Sequence, residues 1–202
     1  MKNSMMDLIK SRIKRLPSGS AFVVSDFTDI TDYENAKKCL LRLEKESFIR
    51  RVIRGVYDKP YYSNLLEEYS APIIEEIVNA IARNYGWSIA PSGLTALNLL
   101  GLSTQVTDLY EYYSSGQYKS YYIDKISISF KHKASKELFA LSYKTSLVVQ
   151  AIKEIGKDID RDTIEKIKYC LTDNEKSILL KETANTTKWI YEKIKQICIK
   201  EA

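Results

Sequence analysis

The chain has 202 residues, 45% hydrophobic and 28% charged, the balance of a globular protein with apolar mass for one large or two small cores, and nothing in it points to disorder. Cys39, Cys170 and Cys198 form no paired motif, so neither a disulfide framework nor a zinc site is expected, and all three read as reduced, packed residues. Residues 1–60 hold 13 Lys+Arg against 8 Asp+Glu and residues 61–202 hold 18 against 18, so the whole net charge of +5 sits in the first sixty residues; this is the footprint of a phosphate-binding surface or of a solvated basic face.

Met5, Leu8, Ile9 and Ile13 repeat at helical spacing and predict a helix over 4–15, ended by Pro17-Ser18-Gly19. Residues 21–24 read as a short strand, and Ser25 can cap a brief second helix before a turn at 29–31. Thr31 or Asp32 then caps a third helix to about residue 46, with Glu34 three residues beyond Thr31 in a capping-box arrangement. On a helical wheel Ala36, Leu40 and Leu43 form its apolar face, while Asn35, Lys38, Arg42 and Lys45 point the other way. Directly after it, residues 47–57 form two β-branched half-strands around an Arg54-Gly55 corner, carrying Arg50, Arg51 and Arg54 and no acid: a basic hairpin.

A short helix, a turn, an amphipathic helix and a basic hairpin in that order predict a winged helix-turn-helix that binds double-stranded DNA. Asn35 is suited to adenine and Lys38 to guanine or a phosphate, with Thr31 and Arg42 beside them. Successive strand residues alternate faces, so Arg50 and Arg51 cannot both face DNA directly, whereas Arg54 at the tip can reach a phosphate or a narrow minor groove. The predicted DNA-binding set is therefore Thr31, Asn35, Lys38, Arg42, Arg50, Arg51 and Arg54. The alternative is a winged helix used as a protein-interaction or scaffold module.

Residues 61–71 read as a polar connecting stretch, partly helical, and place the boundary between a 1–60 DNA-binding domain and a 72–202 C-terminal domain. Beyond it come a helix at 73–84 ended by Gly86, a strand at 87–90 and a helix at 94–100. Strands at 109–113 and 121–123 flank a turn at 114–117 and read as a hairpin, followed by an alternating strand at 126–130. Helices are predicted at 135–155, 162–171 and 174–199. The fold class is α+β: an N-terminal winged helix-turn-helix and a larger mixed domain ending in helices.

The segments 42–57 (RLEKESFIRRVIRGVY) and 90–106 (APSGLTALNLLGLSTQV), with Phe130-Lys131-His132, resemble the AbiEi family of abortive-infection antitoxins of type IV toxin-antitoxin systems; the likeness spans most of residues 5–145. It implies a bacterial, phage-defence antitoxin that represses its own operon through the winged helix, while its C-terminal domain counteracts a nucleotidyltransferase-like toxin, with or without direct contact. It supplies no catalytic residues.

No enzyme is expected. His132 is the only histidine, set among Lys131 and Lys133, where it either touches phosphate or sits on the surface; no nucleophile, metal-ligand or phosphate-loop constellation stands out, and no cofactor is expected. Tyr110, Tyr112, Tyr113, Tyr118, Tyr121 and Tyr122 are either half-buried sheet residues or a stacking platform for nucleic acid. The first seven residues lack an apolar core or cleavage site, and no apolar run approaches the roughly 18 residues of a membrane span, so a cytoplasmic protein is expected, a monomer that pairs on inverted-repeat DNA.

Overall fold

The computed structural model describes residues 4–199 except 104, 106 and 135–139. Its helices and mixed sheets make an α+β fold, and the chain divides into two compact units, Met1–Trp87 and Ser88–Ala202. The division thus falls after the helix that the sequence assigned to the second domain.

In the first unit, α1 (Met5–Arg15) opens with a capping box in which Ser4 Oγ accepts the Asp7 N–H at 3.2 Å and Asp7 accepts the Ser4 N–H at 3.1 Å. β1 (Ala21–Val23) leads into a single 3-10 turn, Val24–Phe27, and then α2 (Tyr33–Lys45). β2 (Arg50–Ile53) and β3 (Val56–Asp58) complete a three-stranded antiparallel sheet in the order β1-β3-β2. Ile9, Ile13, Phe22, Phe27, Leu40, Leu43 and Ile49 pack between the helices and this sheet. α2 stops in a Schellman arrangement, with Phe48 N–H on the Leu43 carbonyl, Ser47 N–H on the Glu44 carbonyl (both 2.9 Å) and Ser47 in the left-handed region at φ 55°.

Residues 61–71, read as a polar and partly helical connection, instead contain a second hairpin, β4 (Tyr62–Ser63) and β5 (Glu68–Tyr69), crossed by a Tyr62–Tyr69 edge-on ring pair at 5.1 Å. With only two residues per strand, its alternation is too short to register as a strand pattern. After it, α3 (Ile74–Tyr85) packs on β1: Arg83 donates to the Ala21 carbonyl at 3.1 Å and pairs with Asp26 at 3.2 Å.

The second unit holds β6 (Ile89–Pro91), α4 (Gly93–Leu99), β7 (Leu109–Ser114), β8 (Lys119–Ile123) and β9 (Ile126–His132), then α5 (Tyr143–Ile155), α6 (Arg161–Tyr169), α7 (Asp173–Glu182) and α8 (Lys188–Cys198). The sheet order is β6-β7-β9-β8, so the expected 109–123 hairpin does not form: β9 lies between β7 and β8, parallel to the first and antiparallel to the second. The local hairpin is β8–β9, turned at Asp124 (φ 50°), and the link from β7 to β8 arches over the end of β9. His132 secures that arch, its Nδ1 lying 2.8 Å from the Gly116 carbonyl.

The helix predicted over 135–155 begins at Tyr143, capped by Ser142, with residues 140–142 outside it; its expected first residues, 135–139, lie outside the described residues. The single helix predicted over 174–199 is two, α7 and α8. Thr183, fully buried, turns its hydroxyl back to the Leu179 carbonyl at 2.6 Å and Thr186 bonds Thr183 at 2.7 Å, hydroxyl contacts that compete with the helical ladder. Leu147, Val148, Ile152, Ile167, Leu179, Ile190, Ile194 and Ile197 form the core of these helices. Cys39 and Cys198 are half-buried, but Cys170 is exposed and not packed as expected; all three thiols are free.

Candidate nucleic-acid interface

α2 presents two chemically opposite faces because its apolar residues recur at three- and four-residue intervals. Ala36, Leu40 and Leu43 are fully buried, while Lys38, Arg42 and Lys45 are exposed and Asn35 is half-exposed on the outer face. Lys37 pairs with Glu34 at 3.6 Å.

The cap of this helix is Asp32, not Thr31, so the Thr31/Glu34 capping box does not form. Asp32 accepts the Asn35 backbone N–H at 3.0 Å and the Asn35 side-chain amide at 2.6 Å, and these bonds, the backbone one first, hold its carboxyl below the usual range. Asn35 is therefore oriented before anything binds, its amine end turned to Asp32. Asp32, which holds the Asn35 amide, is outside the predicted set; the Asp-x-x-Asn spacing at a helix start was the available signal for that contact. Thr31 is drawn the other way, its hydroxyl 3.0 Å from the Met5 sulfur of α1.

The basic hairpin turns at Arg54-Gly55, between the paired residues Ile53 and Val56. Gly55 sits at φ 85° with nothing within 4 Å of where a Cβ would lie, so a glycine is favoured there by backbone conformation and not by space. Arg51 and Arg54 are exposed, and neither they nor Lys38 and Arg42 form an ion pair with a described residue.

Arg50, unlike Arg51 and Arg54, is engaged within the unit. Its Nε donates to Asp58 Oδ1 at 3.0 Å, a second N–H takes the other carboxylate oxygen, and Nη1 donates to the Ser70 carbonyl at 2.9 Å. Asp58 is 1% exposed, so this fork is a structural ion pair that also ties the base of the second hairpin to β2. Of the seven predicted residues, Asn35, Lys38 and Arg42 lie on one helix face and Arg51 and Arg54 on the adjoining hairpin, while Thr31 and Arg50 are engaged inside the unit.

Elsewhere the tyrosines divide: Tyr112 is buried, Tyr110, Tyr113 and Tyr121 are half-buried, and Tyr118 and Tyr122 are over 70% exposed at the sheet edge. Among the described residues no group of histidine, cysteine, aspartate and glutamate side chains is placed to hold a metal ion, and no helix is long and apolar enough to cross a membrane.

Residues 8–180 match the model of a family of unknown function (DUF6088). A crystal structure of the RV2827C protein from Mycobacterium tuberculosis is similar over 97% of this chain and 76% of that one, at 9% identity and a TM-score of 0.41, a likeness too slight to carry fold or function across. No curated protein matches the chain.

Proposed function

The chain belongs to the DUF6088 family, whose function is unknown, and from its own residues we propose that it binds duplex DNA through a winged helix-turn-helix in the first unit and represses transcription. The observation that carries this reading is the unpaired, outward row Lys38, Arg42, Arg51 and Arg54 on a helix and the hairpin that follows it. The order α1, β1, short helix, α2, β2, β3, with the sheet ordered β1-β3-β2, is the order in which such a domain places a reading helix beside its wing. Neutralising several phosphates supplies the sequence-independent affinity, and Asn35 and Lys38, at the start of α2, discriminate bases.

On the likeness to AbiEi antitoxins, the DNA read is the promoter of the chain's own operon, and the second unit counteracts a nucleotidyltransferase-like toxin in the cytoplasm without chemistry of its own. A gel shift on the DNA upstream of the gene tests the first half: a retarded band resisting excess random duplex is expected, and equal competition by random duplex would remove the repressor role. Co-expression with the neighbouring toxin gene tests the second: a chain carrying Lys38→Ala, Arg51→Ala and Arg54→Ala should still relieve growth arrest when driven from an unrelated promoter.

A further inference from the structure

The second hairpin is an anomaly on physical grounds. A two-stranded ribbon with two residues per strand is marginal by itself and ordinarily needs a covered face. This one leaves Leu65 91% and Leu66 66% exposed at its turn, with Tyr61, Tyr62 and Tyr69 about half exposed along its sides. It is nevertheless braced. Leu66 N–H bonds Ser63 Oγ at 3.3 Å, the two tyrosines meet edge-on, Ser70 N–H bonds the Tyr61 carbonyl at 2.8 Å, and Arg50 holds the Ser70 carbonyl from the other side. A leucine pair held out on a braced turn is a preorganised insert. Its charge excludes DNA as the receiver, because Glu67 and Glu68 follow the leucines and residues 61–70 contain no lysine or arginine.

The second unit contains a complementary receptor. Between α6 and α8 runs an open groove of about 460 Å³, floored by the buried Ile159 and Ile164 with exposed Ile199 at its rim and Arg161, Lys168 and Lys193 around it. Among its described lining residues the one acid, Glu165, lies 3.4 Å from Lys168, and those residues carry a formal charge of +2 against the turn's −2. Apolar side chains matched to apolar lining, with opposite charge around each, is the pattern of a specific protein contact.

We propose that the chain self-associates, the Leu65-Leu66 turn of one copy docking in the α6–α8 groove of a second copy. The inference is independent of DNA binding and is tested without DNA, by sedimentation equilibrium of the full chain from 1 to about 200 µM, the upper limit set so that weak, roughly 100 µM association still registers. Mass should rise with concentration, and less steeply in high salt, where the charge pairs are screened. Leu65→Ser with Leu66→Ser should weaken association at least about tenfold, the loss expected for removing buried leucine side chains. Glu67→Lys with Glu68→Lys, and separately Arg161→Glu with Lys193→Glu, should each abolish it, while an equal mixture of those two charge-reversed chains should associate again, because every turn then meets a groove of opposite sign. All the substituted side chains are exposed except half-exposed Lys193, and a cooperative melt for each variant establishes that it folds; a variant that fails this is replaced by its glutamine counterpart. A wild-type chain that stays monomeric, an oligomer indifferent to the leucine substitutions, or a mixture that remains monomeric would each overturn the proposal.

Discussion

The two hairpins of the first unit are near neighbours in sequence and share one anchor, yet they present opposite surfaces. The first, residues 50–58, turns on Arg54-Gly55 and carries two arginines, Arg51 and Arg54, that pair with no described residue; the second, residues 61–70, turns on two leucines and two glutamates. Arg50 joins them through Asp58 on one side and the Ser70 carbonyl on the other. Hairpin geometry alone therefore says little about what a hairpin contacts. The side chains at the turn differ in kind, and a basic residue inside a basic hairpin can be held by the framework, as Arg50 is by Asp58.

Asp58→Ala should give the largest stability loss. It would leave the Arg50 guanidinium, 30% exposed, beside a vacated buried site, and the expected cost is about 2–4 kcal/mol, somewhat below that of a fully buried pair. Chemical denaturation measures it, and Arg50→Ala should fall in the same range. If Arg50→Ala instead leaves stability unchanged and weakens DNA binding, Arg50 belongs with Arg51 and Arg54 on the hairpin's outer surface.

Next in size is base discrimination. Asn35→Ala or Lys38→Ala should cost roughly 1–3 kcal/mol on the preferred sequence and little on random duplex. Asp32→Ala should mimic Asn35→Ala in part, since it releases the amide that it orients. Equal losses on both DNAs would reduce these residues to phosphate contacts.

The salt dependence sorts the hairpins themselves. Arg51→Ala and Arg54→Ala should each lower the slope of log affinity against log salt by about one on any duplex, whereas Glu67→Gln with Glu68→Gln should leave it unchanged. A slope change from the glutamate pair would place the second hairpin at the DNA and dissolve the contrast.

Acid should produce the gentlest effect. Asp7, Asp32, Asp160 and Glu175 are held below their ordinary values at helix starts, first by the Ser4 side chain and by the backbone N–H groups of Asn35, Thr163 and Thr172 respectively. Their folded pKa values lie below the unfolded ones, so the stability that they lend is complete above the ordinary carboxylate range and drains as pH falls through the folded values. The melting temperature should therefore decline from about pH 4.5 downward. Asp32→Asn, which keeps a capping oxygen without the charge, should flatten part of that decline.

What could be read from the sequence was what depends on local period. The α2 faces follow from the spacing of Ala36, Leu40 and Leu43, and the first hairpin from its β-branched run and Arg54-Gly55 corner. What could not be read depends on register. Arg50 meets Asp58 only because β2 and β3 pair those two residues across the ladder, and Thr31 faces Met5 only once α1 lies beside the turn. The second hairpin was hidden by its brevity, and the break between α7 and α8 by threonines whose hydroxyls bond the backbone only when that segment is folded.

The arch pinned by His132 dictates an order of assembly. Because β9 separates β7 from β8, the sheet cannot zip up strand by strand as the chain lengthens. The β8–β9 pair can close early through its two-residue turn, but β7 must wait for β9, its parallel neighbour some eighteen residues downstream. Non-local parallel pairing is the slow kind, since loop entropy is spent before contacts repay it. A chain emerging from the ribosome would hold the β9 side of β7, with Tyr110, Tyr112 and Tyr113, without its strand partner until His132 had been synthesised, an interval in which an open strand edge is exposed to aggregation.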